Sequence, residues 1–272
     1  GGKGMRLVVS SENFLSELEA AKSESLAVFG DDQIILEKYF EAPRHIEVQV
    51  FADDFGNCIH TFERECSIQR RYQKLIEEAP APFLSGEIKE SLYETALKVA
   101  KEINYSGAGT VEFLVSSSSE DKEDEFFFME MNTRLQVEHP VSEAITGLDF
   151  VELQLDIASG NPLNIKQTDI QCLGHAIESR IYAEDPQNDF LPSIGKISEI
   201  SFPKNATHFV SGETRLDHGI YEGAVVTPFY DPMIAKLIIH GKDRNEAIRK
   251  KINSLNEFNV QGIATNIIFL LK

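Results

Sequence analysis

The 272-residue chain reads as an α+β fold, an antiparallel arrangement of sheets with flanking helices, and three patterns carry that reading. Arg44–Val50 alternates Ile46, Val48 and Val50, Asp54–Asn57 supplies turn residues, and Cys58–Phe62 returns, which is a hairpin signature. Gly109–Val115 and the run from Phe126 are two further strands joined through a local polar loop, so they are most simply antiparallel neighbours. Ile88–Ile103 and Asp243–Phe258 repeat apolar residues at helical spacing.

In chain order, residues 1–9 end a glycine-rich loop and enter a strand at Met5–Val9. Ser10 or Ser11 caps a helix whose apolar side is Phe14, Leu15, Leu18 and Ala21, and Ile34–Phe40 follows as a short strand. After the hairpin, residues 63–82 read as irregular and charge-rich, ended by Pro80 and Pro82. The helix from Ile88 turns Leu92, Ala96, Val99, Ala100 and Ile103 inward. Ser116–Glu125, four serines followed by acids and one lysine, reads as a polar hairpin tip. Asp149 caps a helix ending at Gly160, Asn161-Pro162 breaks the chain, and a polar connection covers 164–172. Strands are then expected at Ala176–Tyr182, Gly195–Phe202 and Met233–His240, and a last helix with Ile248, Ile252 and Leu255 inward. Two domains are expected, 1–165 and 172–272, with no internal repeat.

The bulk composition narrows the function classes. Hydrophobic residues make up 42% and charged residues 26%, as in ordinary globular proteins. No apolar run approaches the roughly 20 residues that cross a bilayer. A net charge of −18 repels nucleic acid and anionic membrane, so neither is an expected partner, and an anionic substrate would need a local positive patch. Gln69-Arg70-Arg71-Tyr72-Gln73-Lys74 is the densest basic cluster, and it reads either as that patch or as a solvated run. Cys58, Cys66 and Cys172 form neither a disulfide framework nor zinc spacing, which points to a reducing intracellular compartment; the expected location is soluble, in the cytoplasm or mitochondrial matrix. Triad, zinc-protease and dinucleotide signatures are missing from the sequence.

Chemistry concentrates in residues 126–140. Glu130, Asn132, Arg134, Gln136 and Glu138 share one parity, so an extended backbone lines them along one side. Solvated faces usually mix Thr, Lys and Glu, whereas this row carries metal-ligand and anion-binding groups. Pairing of the two strands brings Glu112 beside Glu130, and two carboxylates with the Asn132 amide are hard oxygen ligands suited to Mg²⁺ or Mn²⁺ on a polyphosphate. Glu112 taken singly also fits an ordinary strand-face acid, His45 a structural hydrogen-bonding residue, and Gly1-Gly2-Lys3-Gly4 a simple turn. The backbone is expected to leave strand geometry after Asn132, so that Arg134, Gln136 and Glu138 converge on a small anion.

With these residues laid out, the chain resembles biotin carboxylases, the ATP-grasp part of biotin-dependent carboxylases. The resemblance rests on GGKGMR at 1–6, EKYF at 37–40, PRHIEVQV at 43–50, ERECSIQRRYQKLIEEAPAP at 63–82, GAGTVEFL at 107–114, EMNTRLQVEHPVSEAITG at 130–147, GHAIESRIYAEDP at 174–186 and YDPMIAKLI at 230–238. It implies a partial ATP-grasp fold followed by a biotin carboxylase C-terminal domain. It also implies an ATP-dependent ligase that phosphorylates bicarbonate to carboxyphosphate and carboxylates biotin. By position, Gly1 and Gly2 would cover phosphates, Glu37, Lys38, Tyr39 and Phe40 would edge the adenine pocket, and His45 and Gln69 would reach the nucleotide. Glu112, Glu130 and Asn132 would hold the metal, and Lys74, Arg134, Gln136 and Val137 would bind bicarbonate. Glu138 would be the general base and Arg180 would stabilise the biotin enolate.

The second half is more similar to subunits acting with acyl-CoA partners, such as methylcrotonyl- or propionyl-CoA carboxylases, than to those acting on pyruvate. The implied partners are a biotinylated carrier domain, a carboxyltransferase subunit and a second copy in a homodimer. The family places an amino-terminal domain and two ATP-contacting lysines ahead of the glycine loop, so the chain is expected to belong to a longer polypeptide, with residues 1–40 packing poorly. The biotinyl-lysine motif Ala-Met-Lys-Met is missing, so biotin would arrive on another domain or chain. The alternatives are a non-catalytic remnant that keeps the fold or an interface, and a different ATP-grasp ligase.

Overall fold

A computed structural model describes residues 5–116 and 125–272. The glycine-rich start with Gly1 and Gly2, and most of the serine-rich loop, lie outside the described residues. Its framework is one continuous sheet of nine strands. They are β1 (Arg44–Ala52), β2 (Cys58–Arg70), β3 (Gln73–Ala79), β4 (Gly107–Ser116), β5 (Glu125–Asn132), β6 (His175–Tyr182), and the strands Thr207–His208, Thr214–His218 and Met233–Gly241. Across the sheet the order is Thr207–His208, Thr214–His218, Met233–Gly241, β6, β3, β2, β1, β4, β5. The edge pair Thr207–His208 with Thr214–His218 is parallel and the other pairings of this sheet are antiparallel. β3 pairs β6 from Ile76 opposite Ser179 to Ala79 opposite Ala176, so residues before 165 and after 172 share one hydrogen-bonded plate.

Among the described residues six α-helices accompany it: α1 (Phe14–Phe29), α2 (Gly86–Glu102), α3 (His139–Thr146), α4 (Phe150–Ala158), α5 (Arg244–Glu257) and the single turn α6 (Ile267–Leu270). Side-chain oxygens of Ser85, Asp149 and Asp243 accept the orphan amides of Ile88, Glu152 and Glu246 and so start α2, α4 and α5. α2 packs Leu92, Ala96 and Ala100 on Ile46, Val48 and Val50 of β1 and Val111, Phe113 and Val115 of β4. Burying each of the Leu, Ile, Val and Phe side chains contributes roughly 1.5–3 kcal/mol, so this apolar face anchors the strands and leaves the opposite face free for polar chemistry. On that opposite face Phe51 and Ala108 pack with Phe150 and Ile157 of α4. Val141 and Ile145 of α3 cover Ala79, Ala176 and Ile238. The polar groups lie between these two apolar supports.

Several expectations are overturned. Residues 63–82 are not irregular: they form the second half of β2 and all of β3. Apart from the exposed Arg71, their charges are largely buried with partners in and beside the sheet, with Glu63 accepting the Tyr93 hydroxyl and Glu65 accepting Arg44 Nε at 2.8 Å. Met5–Val9 and Ile34–Phe40 are not strands, because neither finds a sheet edge to pair with, and Val9 and Ile35 are 83% and 86% exposed. Ser10 does cap, but a turn of 3₁₀-helix (Ser11–Asn13) precedes α1, which buries only Ala21. Ile103 lies past the end of α2 and is exposed, while Tyr93 is buried with Leu92, Ala96 and Ala100. Ile252 is likewise exposed, while Ala247 is buried with Leu255. Gly195–Phe202 is broken into Gly195–Lys196 and Glu199–Ser201.

Candidate functional site

The register of the sheet assembles the site. Glu47 on β1 is opposite Arg64 on β2 and Glu112 on β4, and Glu112 is opposite Glu130 on β5. Cross-strand partners share a face, so a row of three carboxylates and a guanidinium crosses four strands. On the other side of β2, Glu77 is opposite Glu178, and Arg180 is opposite Lys236, which is opposite Asp217.

Lys74 joins this face through a bulge. Gln69 pairs with Lys74 but the adjacent Ile68 pairs with Ile76, so Leu75 is an extra residue and the alternation of β3 inverts there. The re-aimed ammonium lies 2.6 Å from Glu47 Oε2, 2.6 Å from Glu138 Oε1 and 3.4 Å from Glu112 Oε1. Lys74 and Gln69 are one pair removed from a two-residue turn, Arg71-Tyr72, which Arg70 and Gln73 flank and whose residues are both left-handed at φ 50° and 64°. Arg70 beside it pairs with Glu184 and lies 4.2 Å over the Phe190 ring, which fastens the hairpin tip to the second half.

β5 ends at Asn132, and the chain then turns instead of continuing straight. That turn brings Gln136 and Glu138 into the interior, leaving Arg134 at the surface. Glu138 has a cation on each oxygen, since Arg180 NH2 donates to Oε2 at 2.9 Å while Lys74 serves Oε1. Gln136 Nε2 donates to Glu112 Oε1 at 2.6 Å, and its Oε1 is buried without a partner. An orphaned buried acceptor beside a carboxylate between two cations is a cradle for a small protonated anion.

Charge states follow from the packing. Burial by itself raises the Glu47 carboxyl, but the Lys74 ammonium and the Arg64 guanidinium hold it at about 2. Burial also opposes ionisation of Glu112, which the His45 hydrogen bond and the Lys74 charge bring down to about 2. Burial works against the Lys74 ammonium too, yet Glu47, Cys66, Glu138 and Glu112 push its pKa above the ordinary lysine range. Arg180 is held charged against burial by Glu77 and Glu138. Burial raises Glu178 to about 7, and neither of its carboxyl oxygens has a hydrogen-bond partner.

His45, Gln69, Lys74, Glu112, Asn132, Gln136 and Glu138 therefore form one connected cluster, and Arg180 closes it from β6. Gln69 Nε2 donates to His45 Nδ1 at 2.9 Å, so the ring proton sits on Nε2, 2.7 Å from Glu112 Oε2. Asn132 Nδ2 donates to Glu112 at 2.8 Å and to Glu130 at 3.2 Å. Arg134 touches the cluster at its exposed edge, donating to Asn132 Oδ1 and to the Leu135 carbonyl. Val137 contributes its carbonyl to Lys236 at 2.8 Å. Glu37, Lys38 and Tyr39 are exposed on an irregular segment that reaches β5 at Phe127, whose ring lies 4.4 Å from that of Phe40 and 5.5 Å from Lys38 Nζ. Sequence reasoning missed Glu47, Arg64 and Lys236. The first was detectable, because Ile46, Val48 and Val50 on one face of the hairpin leave His45, Glu47 and Gln49 together on the other.

Glu112 and Glu130 suit a hard divalent cation chemically, and turning the Asn132 amide over presents Oδ1 toward them. The donor set thus fits Mg²⁺ or Mn²⁺.

Two family models divide the chain. Residues 1–166 match the carbamoyl-phosphate synthase L chain, ATP binding domain, and residues 178–272 match the biotin carboxylase C-terminal domain. The mitochondrial methylcrotonoyl-CoA carboxylase subunit alpha of Rattus norvegicus is 49% identical over 272 residues, covering 100% of this chain and 37% of the relative. The chain thus spans little more than a third of that relative's length. A biotin carboxylase–beta-gamma-ATP complex from Campylobacter jejuni superposes with a TM-score of 0.91 at 46% identity, covering 100% of this chain and 58% of that one. The biotin carboxylase domain dimer of Hydrogenobacter thermophilus 2-oxoglutarate carboxylase, in complex with MgADP, ADP and bicarbonate, gives a TM-score of 0.90 at 42% identity, covering 100% and 57%.

Proposed function

The chain belongs to the biotin carboxylase family, and from that premise we propose that it supplies the ATP- and bicarbonate-dependent carboxylation of biotin within an acyl-CoA carboxylase. The observation that carries this reading is Glu138 held between Lys74 and Arg180 beside the unpartnered Gln136 oxygen. Bicarbonate is a weak nucleophile until it loses its proton. Glu138 would take that proton, while Lys74, Gln136, Val137 and Arg134 bind the anion. Arg134 reaches this set after leaving Asn132 and Leu135. The activated oxygen attacks the terminal phosphorus of ATP, the bond to ADP breaks, and carboxyphosphate forms.

Arg180 would then hold the negative charge that develops on the ureido oxygen of biotin. Glu112, Glu130 and Asn132 would hold Mg²⁺ or Mn²⁺, which supplies positive charge to the phosphates. His45 and Gln69 would contact the nucleotide, as would Gly1, Gly2 and residues 37–40. The expected partners are a biotinylated carrier, a carboxyltransferase and a second copy of the chain. Among the described residues no helix is long and apolar enough to cross a membrane.

The test is bicarbonate-dependent ADP release with free biotin. Glu138→Gln should lower turnover by roughly 100-fold or more, with folding and ATP binding retained. Turnover with an amine acceptor and indifference to biotin would point to another ligase. No ATP binding at all would support a remnant.

A further inference from the structure

Besides the Arg180 bond to Glu138 itself, the segment that carries Glu138 is tied to the second half of the chain by two further cations. Lys236 Nζ, from the strand Met233–Gly241, donates to the Val137 carbonyl at 2.8 Å. Arg215 NH1, from Thr214–His218, donates to Glu143 Oε2 at 2.7 Å, and the other Glu143 oxygen accepts from Phe150 N at 2.8 Å. Asp217 links the two cations: Arg215 Nε and NH2 donate to it at 2.8 and 2.9 Å, and Lys236 Nζ lies 3.6 Å away. Asp217, Lys236 and Arg180 face one another on three adjacent strands.

The location of the Val137 carbonyl gives the Lys236 bond its consequence. The backbone has left β5, and although the Gln136 and Glu138 side chains are anchored, the backbone–backbone bonds of this turn are long, His139 N to Gln136 O and Val141 N to Glu138 O, both 3.3 Å. A charged donor on a peptide carbonyl is the stronger kind of hydrogen bond, about twice a neutral one. The Val137 carbonyl belongs to the peptide that carries the Glu138 amide. Fixing it fixes the plane from which the Glu138 side chain departs toward Lys74 and Arg180.

We propose that Lys236 is a positioning residue for bicarbonate activation, acting from the second half of the sheet through the Val137–Glu138 peptide to aim Glu138 at its two cations. This rests on the reading of Glu138 as the base. Lys236 touches none of the reacting groups. A displacement of the turn by about an ångström is enough for a roughly 100-fold loss in a reaction that depends on near-attack geometry.

The experiment compares Lys236→Met, which keeps the aliphatic stem without the donor, with Lys236→Arg, which restores a cationic donor, in the full chain. Lys236→Met should lower kcat/KM for bicarbonate by roughly tenfold or more, leave KM for ATP within about twofold, and speed amide exchange at residues 137–139. Lys236→Arg should recover most of both effects. Wild-type bicarbonate kinetics and exchange in Lys236→Met overturn the proposal. So does an equal fall in ATP and bicarbonate parameters with general loss of exchange protection. A wild-type chain without bicarbonate-dependent turnover removes the functional reading, and exchange at residues 137–139 then decides whether Lys236 holds the turn.

Discussion

Arg64→Met isolates the electrostatic anchor of the polar face. Arg64 is fully buried and spends its whole guanidinium on four partners: Glu47, Gln49 Oε1 at 2.9 Å, Ser142 Oγ at 3.1 Å and Thr110 Oγ1 at 3.2 Å. Methionine fills most of the stem volume, so the perturbation is the loss of charge and donors beside a buried carboxylate. Breaking a buried pair by removing one partner costs about 3–5 kcal/mol. Lys74 remains 2.6 Å from Glu47 and is the stronger of the two cations holding its carboxyl down, which places the expected loss at the lower end, about 3 kcal/mol. At about 2–4 °C per kcal/mol for a chain of this size, Tm falls by roughly 6–12 °C. Urea unfolding followed by circular dichroism measures the loss directly. Adding Glu47→Gln removes the stranded charge, so the double variant should be more stable than the sum of the singles by roughly 1–3 kcal/mol. A single-variant loss under about 1 kcal/mol, or strict additivity, would refute the reasoning.

Two further outcomes follow from the same structure. Glu178 titrates near 7 in the fold against 4.5 in a free chain, because burial disfavours its carboxylate. Its raised pKa means stability is lost as pH climbs from about 4.5 to about 7, where the unfolded chain ionises and the folded one does not. Glu178→Gln should therefore match wild-type Tm near pH 4 and exceed it near pH 8, and an unchanged difference across that range would refute the assignment. At the β2–β3 turn, Arg71→Asn with Tyr72→Gly places the residues that two-residue hairpins favour at two positive-φ positions. The double substitution should raise Tm, by relief of up to about 1–2 kcal/mol per residue. A lower Tm would show that docking of Arg71 on Asp189 outweighs backbone strain.

Legibility in the sequence tracked locality. The Arg44–Ala52 and Cys58 hairpin, the capped helices α2, α4 and α5, and the pairing of Glu112 with Glu130 all depend on contacts a few residues or one loop apart. The end of β5 at Asn132 was legible too, because the functional row beyond it cannot converge on one anion from a straight strand. Met5–Val9 and Ile34–Phe40 were misread because β-propensity describes fit to a neighbouring strand, and neither segment has one. Residues 63–82 were misread for the opposite reason. Their charges look solvated until partners from distant segments, Arg44, Tyr93 and Arg180, bury with them.

By itself the sequence determined the chemical inventory: which strands carry carboxylates, where the hard oxygen ligands pair, and which residues match the family's site motifs. Only the tertiary structure decided how these groups converge. The extra residue at Leu75 turns Lys74 onto the polar face. The β3–β6 pairing brings Arg180 and Lys236 to Glu138, neighbouring cations and the His45 hydrogen bond keep Glu47 and Glu112 charged against burial, and burial pushes Glu178 toward neutrality. The reason is that register, bulges and desolvation depend on partners far away in sequence, and local patterns carry no record of them.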